Sequence, residues 1–367
     1  MAAWYIGLMS GTSLDGVDGV LAEAAGANEA LCSRAHVHLD FDPDLRTELL
    51  ALNRSGNDEL HRAALAANRL VGAYSQAVQQ LLVLGGVSAH AVRAIGAHGQ
   101  TVRHQPQAGY TVQLMNGALL AERTGVDVIC DFRSRDVAAG GQGAPLAPGF
   151  HAAAFGAPGR ERALLNLGGI ANLSLLHADG SVLGFDCGPA NVLMDGWCQR
   201  HRGASFDAGG AWAAGGHVDP VLLQALLAEP YFALPPPKST GRDLFDRAWL
   251  DERLGAAERD PQAVMATLAE LTARSVATDL LRHAPAADAL YVCGGGAFNT
   301  HLMQRLSALL PGVAVQSSAA LGVPPDQVEA MAFAWLAQAF VVRRAGNLPA
   351  VTGAAGPRVL GALYPAG

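Results

Sequence analysis

Residues 6–21 read IGLMSGTSLDGVDGVL: an apolar segment, a turn of small, hydroxyl-bearing and acidic residues, and a second apolar segment. This pattern predicts strands over residues 4–9 and 17–24, joined as a hairpin. The turn offers little to a hydrophobic core, but glycine lets the backbone approach a phosphate closely, and consecutive N–H groups form an anion-binding concavity. It is not a Walker loop, because Gly-Lys-Ser/Thr is absent and both flanks read as strands. A plain hairpin turn formed by Asp and Ser is the alternative.

The second half of the chain opens in a similar way. Residues 162–195 read RALLNLGGIANLSLLHADGSVLGFDCGPANVLMD. The predicted order is strand, Gly/Asn turn, strand, Asp-Gly turn, strand and helix, since an Asp-Gly pair between apolar segments is a strong hairpin signal. A buried strand, a triple-glycine turn and a helix are expected at residues 289–310. Both halves therefore begin with a hairpin, which indicates a weak internal duplication.

The remaining pattern completes an α/β chain. Helical spacing is clearest over residues 59–84, and short apolar strands are predicted at 92–99 and 126–133. The glycine-rich residues 138–149 indicate a loop or domain crossover. The longest apolar run, residues 331–342, is too short to cross a bilayer and predicts a buried helix.

Composition argues against several classes of protein. The chain has 367 residues and is 50% hydrophobic, which suits two domains or one large domain. The formal net charge of −7 argues against a nucleic-acid partner. No cationic run is typical of a membrane-surface helix, so no membrane partner is expected. The cysteine count of five, without metal-ligand spacing, and the lack of a targeting segment favour a reduced, cytoplasmic protein.

Three more stretches are candidates for chemistry. In GFDCGPAN, residues 184–191, Asp186 ends an apolar strand, where it could be a catalytic base or the N-cap of the following helix. Gly294–Gly296 could pack against a nucleoside or form an ordinary strand–helix turn. The loop PPPKSTGRDLF, residues 235–245, could cap anionic phosphates through residues such as Lys238, or it could be a solvated surface loop.

Two stretches concentrate histidine and arginine. GAHGQTVRHQP, residues 96–106, contains His98 and Gln100, and DFRSRD, residues 131–136, contains Arg133. No pair of histidines has metal-ligand spacing on a helix face, and no Gly-x-Ser-x-Gly elbow is present. Zinc enzymes and serine hydrolases are therefore poor interpretations.

In chain order, eight stretches resemble those of the anhydro-N-acetylmuramic acid kinases, from about residue 4 to about residue 340. They are GLMSGTSLDGVD, AHGQTVRHQP, DFRSRDVAAGGQGAPL, NLGGIANLS, GFDCGPANVLMD, PPPKSTGRDLF, CGGGAFN and EAMAFAWLA. The family more often has Thr and Gly where this chain has Cys187 and Ala190, but Asp186 is in place. A buried small side chain is the expected role of Cys187.

The resemblance implies the fold of the sugar-kinase, chaperone-ATPase and actin superfamily. That fold is α/β with two lobes, each a ribonuclease-H-like mixed sheet flanked by helices, and ATP in the cleft between them. We expect an N-terminal lobe at residues 1–135, with the phosphate hairpin and part of the sugar site, which the tail 352–367 could rejoin. Residues 136–351 would form a C-terminal lobe with the catalytic aspartate and the nucleoside site. Two-lobed kinases of this type generally close on their substrates, and we expect part of the hinge at residues 138–149.

The resemblance also implies the reaction. The substrate would be 1,6-anhydro-N-acetylmuramic acid, a product of cell-wall recycling with an internal ether from C1 to O6. Water would open that ether while the γ-phosphate of ATP is transferred to O6, giving N-acetylmuramic acid 6-phosphate and ADP. Asp186 matches the catalytic aspartate of the family and would activate the water, as in an inverting glycosidase.

The nucleotide and sugar residues follow from the same resemblance. Residues expected to bind ATP are Gly11, Thr12, Ser13, Leu14, Asp15, Gly16, Val17, Asp18, Gly169, Gly294, Gly295 and Gly296. Asp15 is also the expected carboxylate beside Mg²⁺. Arg133 is the first choice for the lactyl carboxylate of the sugar, with His98, Gln100 and Glu329 as further sugar contacts. A homodimer is expected from the resemblance alone.

Two other functions remain open from the sequence. One is a different sugar kinase of the same fold, in which Asp186 would deprotonate a free hydroxyl. The other is a nucleotide-switched binding protein of the actin or chaperone type. ADP release that is supported by an anhydro sugar, and not by its ring-opened form, would distinguish the anhydro-sugar kinase from the first alternative. ATP hydrolysis that needs no sugar would favour the second alternative.

Overall fold

The computed structural model describes residues 2–11, 13–26, 29–256 and 258–367. The strands are β1 (Ala3–Met9), β2 (Gly16–Ala24), β3 (Leu31–Asp40), β4 (Val92–Ala97), β5 (Gln100–Gln105), β6 (Tyr110–Leu114), β7 (Val128–Cys130), β8 (Arg162–Leu167), β9 (Ile170–Leu176), β10 (Val182–Pro189), β11 (Ala289–Cys293), β12 (Ala314–Ser317) and β13 (Ala362–Tyr364). The helices are α1 (Pro43–Ala51), α2 (Glu59–Gly85), α3 (Gly117–Thr124), α4 (Ser134–Ala138), α5 (Ala147–Phe155), α6 (Asn191–Arg202), α7 (Ala211–Ala214), α8 (Pro220–Leu227), α9 (Arg247–Leu254), α10 (Pro261–His283), α11 (Thr300–Leu309), α12 (Val328–Val341) and α13 (Pro349–Thr352).

The first large sheet has the strand order β13-β7-β4-β1-β2-β3. Strands β1, β2 and β3 form an antiparallel meander, and β4 and β7 extend it in parallel beyond β1. The predicted opening hairpin is confirmed, with Met9 opposite Asp18 at its closed end. The predicted strands at 92–99 and 126–133 are confirmed in shorter form as β4 and β7.

The second large sheet repeats the same plan in the order β10-β9-β8-β11-β12. Strands β8, β9 and β10 form the antiparallel meander, and β11 and β12 are the parallel strands. A meander extended by parallel strands next to its first strand is the ribonuclease-H-like arrangement. The α/β class and the internal duplication expected from the sequence are therefore confirmed at the level of topology.

The chain divides into two compact units, which match the two predicted lobes in number but not in limits. One unit contains residues 1–154 and 327–367, and the other contains residues 155–326. The limits expected from the sequence are 135/136 and 351/352. The first unit is therefore longer at its first limit, and the C-terminal segment returns to it earlier than expected.

Helix α12 explains the early return. It packs on β1 and β4, and the closest contacts are made where those strands carry glycine. A side chain at Gly7 would collide with the backbone of Ala330, and one at Gly96 would collide with the backbone of Phe333. The helix is buried along nearly its whole length, as its apolar sequence predicted.

The glycine-rich residues 138–149 lie inside the first unit rather than at its limit. Their backbone is tied to the C-terminal segment, since Gln142 N donates to Thr352 O at 2.7 Å and Ala355 N donates to Ala139 O at 2.8 Å. Residues from 147 onward already belong to α5. The structure therefore offers no support for a hinge at this stretch.

Each unit has its own hydrophobic core. In the first unit α2 buries Leu70 and Tyr74 against the sheet, and in the second α10 buries Leu268 together with Phe245 and Trp249. Burying a side chain of this size stabilises a fold by roughly 1.5–3 kcal/mol. Among the described residues, no helix is long and apolar enough to cross a membrane.

Candidate active site

The described residues of the opening turn, 10, 11 and 13–15, are held in place by hydrogen bonds to the turn that follows β4. Ser10 is buried, and its hydroxyl donates to Gly99 O at 2.9 Å and contacts the hydroxyl of Tyr74 at 3.0 Å. The amide of Gln100 donates to Gly11 O at 3.1 Å. These contacts fix the turn, while Ser13 stays exposed.

The other residues of the predicted phosphate turn divide by burial. Leu14 and Val17 are buried in the core, so they could meet a nucleotide only through backbone atoms. Gly16 packs closely on the backbone of Leu39. A Cβ at Gly11 would meet nothing closer than Ser13 Oγ at 3.6 Å, so packing does not require glycine there. Thr12 lies outside the described residues.

Asp15 is the carboxylate predicted to stand beside Mg²⁺. Its Oδ1 accepts from Ser13 Oγ at 2.7 Å and from Gly16 N at 3.0 Å, and its side chain is exposed. In the described parts of the chain, no group of three or more His, Cys, Asp or Glu could hold a metal by itself. One carboxylate fits Mg²⁺ when phosphate oxygens and water supply the other ligands.

Asp18 has partners that the sequence did not reveal. His38 Nδ1 lies 2.9 Å from Asp18 Oδ1, and His36 Nε2 lies 3.4 Å from the same oxygen. Burial lowers the pKa of His38, but the neighbouring carboxylates, Asp18 foremost, outweigh it and leave that pKa raised. The alternation of His36 and His38 along β3 places both on one face of the sheet, which was the available signal.

Arg133 and His98, both predicted sugar contacts, lie together. Arg133 Nη2 and Nε approach His98 Nε2 at 3.0 and 3.3 Å, so that nitrogen accepts and His98 Nδ1 donates to Ser10 O at 3.0 Å. Burial, with the Arg133 charge, lowers the pKa of His98 to about 3, so its ring is neutral. His98 is buried and aims Arg133, while Arg133 is partly accessible.

Arg133 is also held from its other side. Its Nη1 donates to Gly143 O at 2.9 Å. Burial lowers the pKa of Arg133 to about 10, and the charge of Glu329 opposes that shift, so the guanidinium remains charged at neutral pH. The side chain of Glu329 is accessible to solvent, but neighbouring protein displaces part of the water around its carboxylate. This partial desolvation, with the charge of Asp18, raises the pKa of Glu329. The first unit thus gathers one fixed cation and several carboxylates beside the opening turn.

Gln100 is more buried than a sugar contact needs to be. Its amide nitrogen serves Gly11, as described above, and its Oε1 is buried without a partner among the described residues. That oxygen is the part of Gln100 that a ligand could satisfy.

In the second unit, Asp186 lies near the end of β10, where the register with β9 shifts between Asp186 and Gly188. Its Oδ2 accepts from Thr240 N at 3.0 Å and from Ser239 Oγ at 3.1 Å. The described residues give Oδ1 no hydrogen bond. Burial raises the pKa of Asp186, and the hydrogen bonds from Thr240 and Ser239, with the charge of Lys238, oppose that rise.

The alternative role of Asp186 as a helix cap is wrong. The N-cap of α6 is Ala190, without a side-chain hydrogen bond. The backbone N–H groups that start this helix donate instead to the turn between β8 and β9, as Ala190 N does to Gly169 O at 2.9 Å. Burial raises the pKa of the Cys187 thiol well above its ordinary range, which agrees with a buried small side chain.

The loop 235–245 holds the carboxylate of Asp186, a role that neither interpretation of the sequence included. Lys238 is neither a free phosphate ligand nor solvated: it is buried and forms an ion pair with Asp279 at 2.9 Å. Ser239 and Thr240 hold Asp186, as described above. Tyr231, just before the loop, donates its hydroxyl to Asp186 O at 2.8 Å. The sequence missed these roles because they depend on contacts between residues 41 or more positions apart.

The triple glycine combines packing with one open position. A side chain at Gly294 would collide with Asn166, and one at Gly296 would collide with Leu167. A Cβ at Gly295 would meet nothing within 4 Å, and this residue is exposed. Gly295 is therefore where a flat group could lie on bare backbone. Gly169, in the turn between β8 and β9, is also exposed.

The repeated ribonuclease-H-like order and a carboxylate held at a strand end are typical of the sugar-kinase and actin superfamily. The profile of one of its families, described as anhydro-N-acetylmuramic acid kinase, matches residues 3–366. A protein of that name from Bordetella petrii is 61% identical over 366 residues, covering 99% of this chain and 96% of the relative. Another from Albidiferax ferrireducens is 57% identical over 391 residues, with 100% of each chain covered. This chain belongs to the anhydro-N-acetylmuramic acid kinase family.

Among solved structures, a ROK family glucokinase from Streptomyces griseus, in complex with glucose and AMPPNP, is 15% identical with a TM-score of 0.42. The alignment covers 91% of this chain and 99% of the glucokinase. This likeness is too distant to support a functional conclusion. The assignment as a kinase of anhydro-sugar metabolism rests on the family.

Proposed function

We propose that this kinase opens the 1,6-anhydro ring of 1,6-anhydro-N-acetylmuramic acid with water and transfers the γ-phosphate of ATP to O6. A water oxygen forms a bond to C1, the C1–O6 bond breaks, and O6 takes the phosphoryl group while ADP leaves. The products are N-acetylmuramic acid 6-phosphate and ADP. The observation that carries this proposal is the state of Asp186, a half-buried carboxylate. Its Oδ2 is held by two hydrogen bonds, and its Oδ1 accepts none from the residues that the structure describes.

Asp186 is assigned the proton from the attacking water. O6 of the anhydro sugar has no proton to lose, so the base is needed at the water rather than at the phosphate acceptor. The held Oδ2 fixes the plane of the carboxylate, and Oδ1 is available to accept. A raised pKa favours proton uptake, since a base works best when its pKa is close to the working pH. The carboxylate of an inverting glycosidase activates water by the same logic.

The opening turn is assigned to the β- and γ-phosphates of ATP. The backbone at Gly11 is open, and the Ser13 hydroxyl is exposed beside it. Mg²⁺ held by Asp15 would neutralise charge on the phosphates, as metal ions do in phosphoryl transfer. The protein's share of such a transfer is mainly positioning and electrostatic stabilisation. Gly295 is assigned to the nucleoside.

The sugar is assigned to the fixed cation of the first unit. The lactyl group carries a carboxylate, and a guanidinium can bind it with two parallel hydrogen bonds. Arg133 is pre-oriented by His98 and Gly143, so little side-chain freedom is lost on binding. Glu329, His98 and Gln100 remain weaker candidates for direct contacts. A cytoplasmic location and a homodimer stay predictions.

The test is ADP release by the parent and by Asp186→Asn, with and without 1,6-anhydro-N-acetylmuramic acid. The amide keeps the shape of the carboxylate but cannot take a proton from water, so turnover should fall by roughly 10²–10⁴-fold. Calorimetry should still detect binding of ATP and sugar. Asp179→Asn, at an exposed hairpin turn, is the matched control and should behave like the parent. An Asp186→Asn variant with most of its turnover would remove Asp186 from the mechanism.

A further inference from the structure

The segment 231–240 forms hydrogen bonds with the backbone carbonyl, the backbone N–H and the carboxylate of Asp186. Tyr231 donates to the backbone carbonyl of Asp186, and Asp186 N donates to Lys238 O at 3.1 Å. Thr240 N, two residues further on, donates to the carboxylate at 3.0 Å. The direction of the Asp186 side chain therefore depends on where this segment lies.

Lys238 is the point at which the segment is anchored. Its ammonium lies 2.9 Å from Asp279 Oδ2 on α10, and the two side chains are only 2% and 3% exposed. The rings of Tyr231 and Phe185 lie 5.2 and 5.8 Å from the ammonium. Despite the short ion-pair distance, Lys238 Nζ has no hydrogen bond of good geometry in the described structure.

Such a pair is a poor device for stability. Removing two charges from water costs several kcal/mol per ion, and the attraction between them offsets this only when hydrogen bonds satisfy both groups. Buried pairs of this kind are often replaced by apolar residues without loss of stability. A role other than stability is therefore indicated.

We propose that the Lys238–Asp279 pair is a positioning device for Asp186, acting through the backbone of residues 238–240 and through the charge of Lys238. This inference rests on the proposed role of Asp186 as the base. The pair locks the segment that orients the carboxylate, and it places a fixed cation behind it. Neither residue touches the reacting atoms.

The charge of Lys238 has a defined sign at Asp186. It lowers the pKa of Asp186, against the rise caused by burial. The other titratable groups packed around the pair are Cys187, Tyr231 and His283. Burial raises the pKa of Cys187 and of Tyr231 far above neutrality, and burial lowers the pKa of His283. All three are therefore uncharged near neutral pH, and among these groups Lys238 supplies the positive charge that favours the ionised form of Asp186.

The experiment replaces the pair by apolar residues, as Lys238→Met with Asp279→Leu in one protein. It should fold with about parental thermal stability. The kcat should fall by roughly 10–10²-fold, the scale of a small misplacement of a catalytic group. The KM for ATP should stay within about twofold, because the change is confined to the base. The acid limb of the kcat–pH profile should move to higher pH, since activity needs the ionised carboxylate and the cation that favoured it is gone.

Glu270→Leu with Arg305→Met is the matched control, since it removes another ion pair of α10, at 2.7 Å, with a buried carboxylate. Its acid limb should stay at the parental pH. Lys238→Arg keeps a cation, so its acid limb should also stay while kcat falls, and this arm decides the matter if the apolar pair variant does not fold. An acid limb that moves in Lys238→Arg, or a kcat that is parental, would overturn the inference.

Two further outcomes separate this inference from the proposed function. A folded apolar pair variant with parental kcat and profile, beside an inactive Asp186→Asn, would overturn the role of the pair alone. A reduced kcat with an unmoved acid limb would also overturn that role, because a general packing defect would explain it. Full turnover by Asp186→Asn would overturn both proposals at once.

Discussion

At the scale of single residues, the hydrogen bonds around Arg133 fix the orientation of its guanidinium before a ligand binds. An arginine on a flexible surface would spend side-chain entropy to bind a carboxylate. Here one guanidinium edge meets a neutral His98, and one nitrogen donates to Gly143. His98 is neutral because burial and the arginine itself lower its pKa to about 3. Its Nε2 can therefore accept from Arg133 across the whole physiological range of pH.

Replacing Arg133 should change which sugar the enzyme prefers. Arg133→Met removes the cation assigned to the lactyl carboxylate, and hydrogen bonds to charged groups contribute about 1.5–3 kcal/mol. The KM for 1,6-anhydro-N-acetylmuramic acid should rise roughly 10–100-fold. The analogue without the lactyl group, 1,6-anhydro-N-acetylglucosamine, should be affected much less. Steady-state kinetics with both sugars measures this ratio.

Arg135→Met is the matched control for this experiment, because Arg135 lies two residues away and is exposed. Its kinetics should match the parent with both sugars. If Arg133→Met weakened both sugars equally, Arg133 would support the fold of the site without recognising the lactyl group.

Gly11 allows an equally local test of the nucleotide site. In Gly11→Val the first added carbon has room, with Ser13 Oγ at 3.6 Å as its nearest neighbour, so the fold should tolerate it. The side chain would occupy the space assigned to phosphate and weaken ATP binding about tenfold or more, the equivalent of one charge-assisted hydrogen bond. Calorimetric titration with ATP gives the affinity directly.

The control is Gly196→Val, on the exposed side of α6, where a Cβ would meet nothing within 4 Å. It should bind ATP like the parent. Parental affinity in a folded Gly11→Val would place the phosphates elsewhere.

At the scale of elements, the sequence predicted what local patterns encode. Alternation and turn residues located both hairpins, and helical spacing located α2 and the buried helix α12. The apolar segment before Asp186 also predicted that this residue lies at a strand end. These features depend on neighbours within a few residues, which is the range that periodicity reports.

The features that the sequence did not predict depend on distant contacts. Composition marks 138–149 as glycine-rich, but contacts with the distant C-terminal segment, such as Gln142 N with Thr352 O, show that it belongs inside the first unit. In the same way, nothing near Lys238 in the sequence indicates Asp279. Lysine in a Pro-rich loop is normally solvated, and its burial requires a partner that becomes visible only in the fold.

Asp136 is the buried carboxylate that fixes the glycine-rich segment. Its Oδ2 accepts from Gly143 N at 2.8 Å, and its Oδ1 accepts from Asn347 Nδ2 at 2.7 Å and from Thr352 Oγ1 at 2.8 Å. Asp136→Asn would turn one amide N–H toward another donor. Leaving a buried group unsatisfied costs about 1–3 kcal/mol. Hydrogen exchange at the amides of residues 139–143 should accelerate by roughly tenfold, since 1.4 kcal/mol is a factor of ten.

The swap Asp136→Asn with Asn347→Asp restores a donor facing an acceptor and serves as the control. It should recover part of the protection that Asp136→Asn loses, which makes the pair a double-mutant cycle. If Asp136→Asn exchanged at the parental rate, the network would not be what holds the segment.

On the scale of the whole molecule, the repeated sheet places candidate site residues at equivalent positions in the two units. In the first unit the meander turn joins β1 to β2, and the parallel strand next to β1 ends just before His98. In the second unit the meander turn contains Gly169, and the parallel strand next to β8 ends just before Gly294. Every one of these positions was a candidate from the sequence. Duplication of the fold therefore supplies two sets of strand ends, one in each unit, at which the candidate site residues lie.

The reaction as a whole makes one prediction that no single residue makes. An ordinary sugar kinase uses a substrate hydroxyl as its nucleophile, so solvent oxygen never enters the sugar. In the proposed mechanism water attacks C1, and O6 departs onto phosphorus. In ¹⁸O-labelled water the product should therefore carry one label at C1, with none at O6 or in the transferred phosphate.

Exchange at the anomeric carbon has to be separated from enzymatic labelling. The product should be reduced promptly with borohydride and the label located by mass spectrometry, beside unlabelled product held in labelled water for the same time. Label in the phosphate would mean that water attacked phosphorus, as in a plain ATPase. A sugar without label beyond the control would mean that water never opened the ether. The water-activating role of Asp186 would then have to be abandoned, because the only proton assigned to it comes from that water.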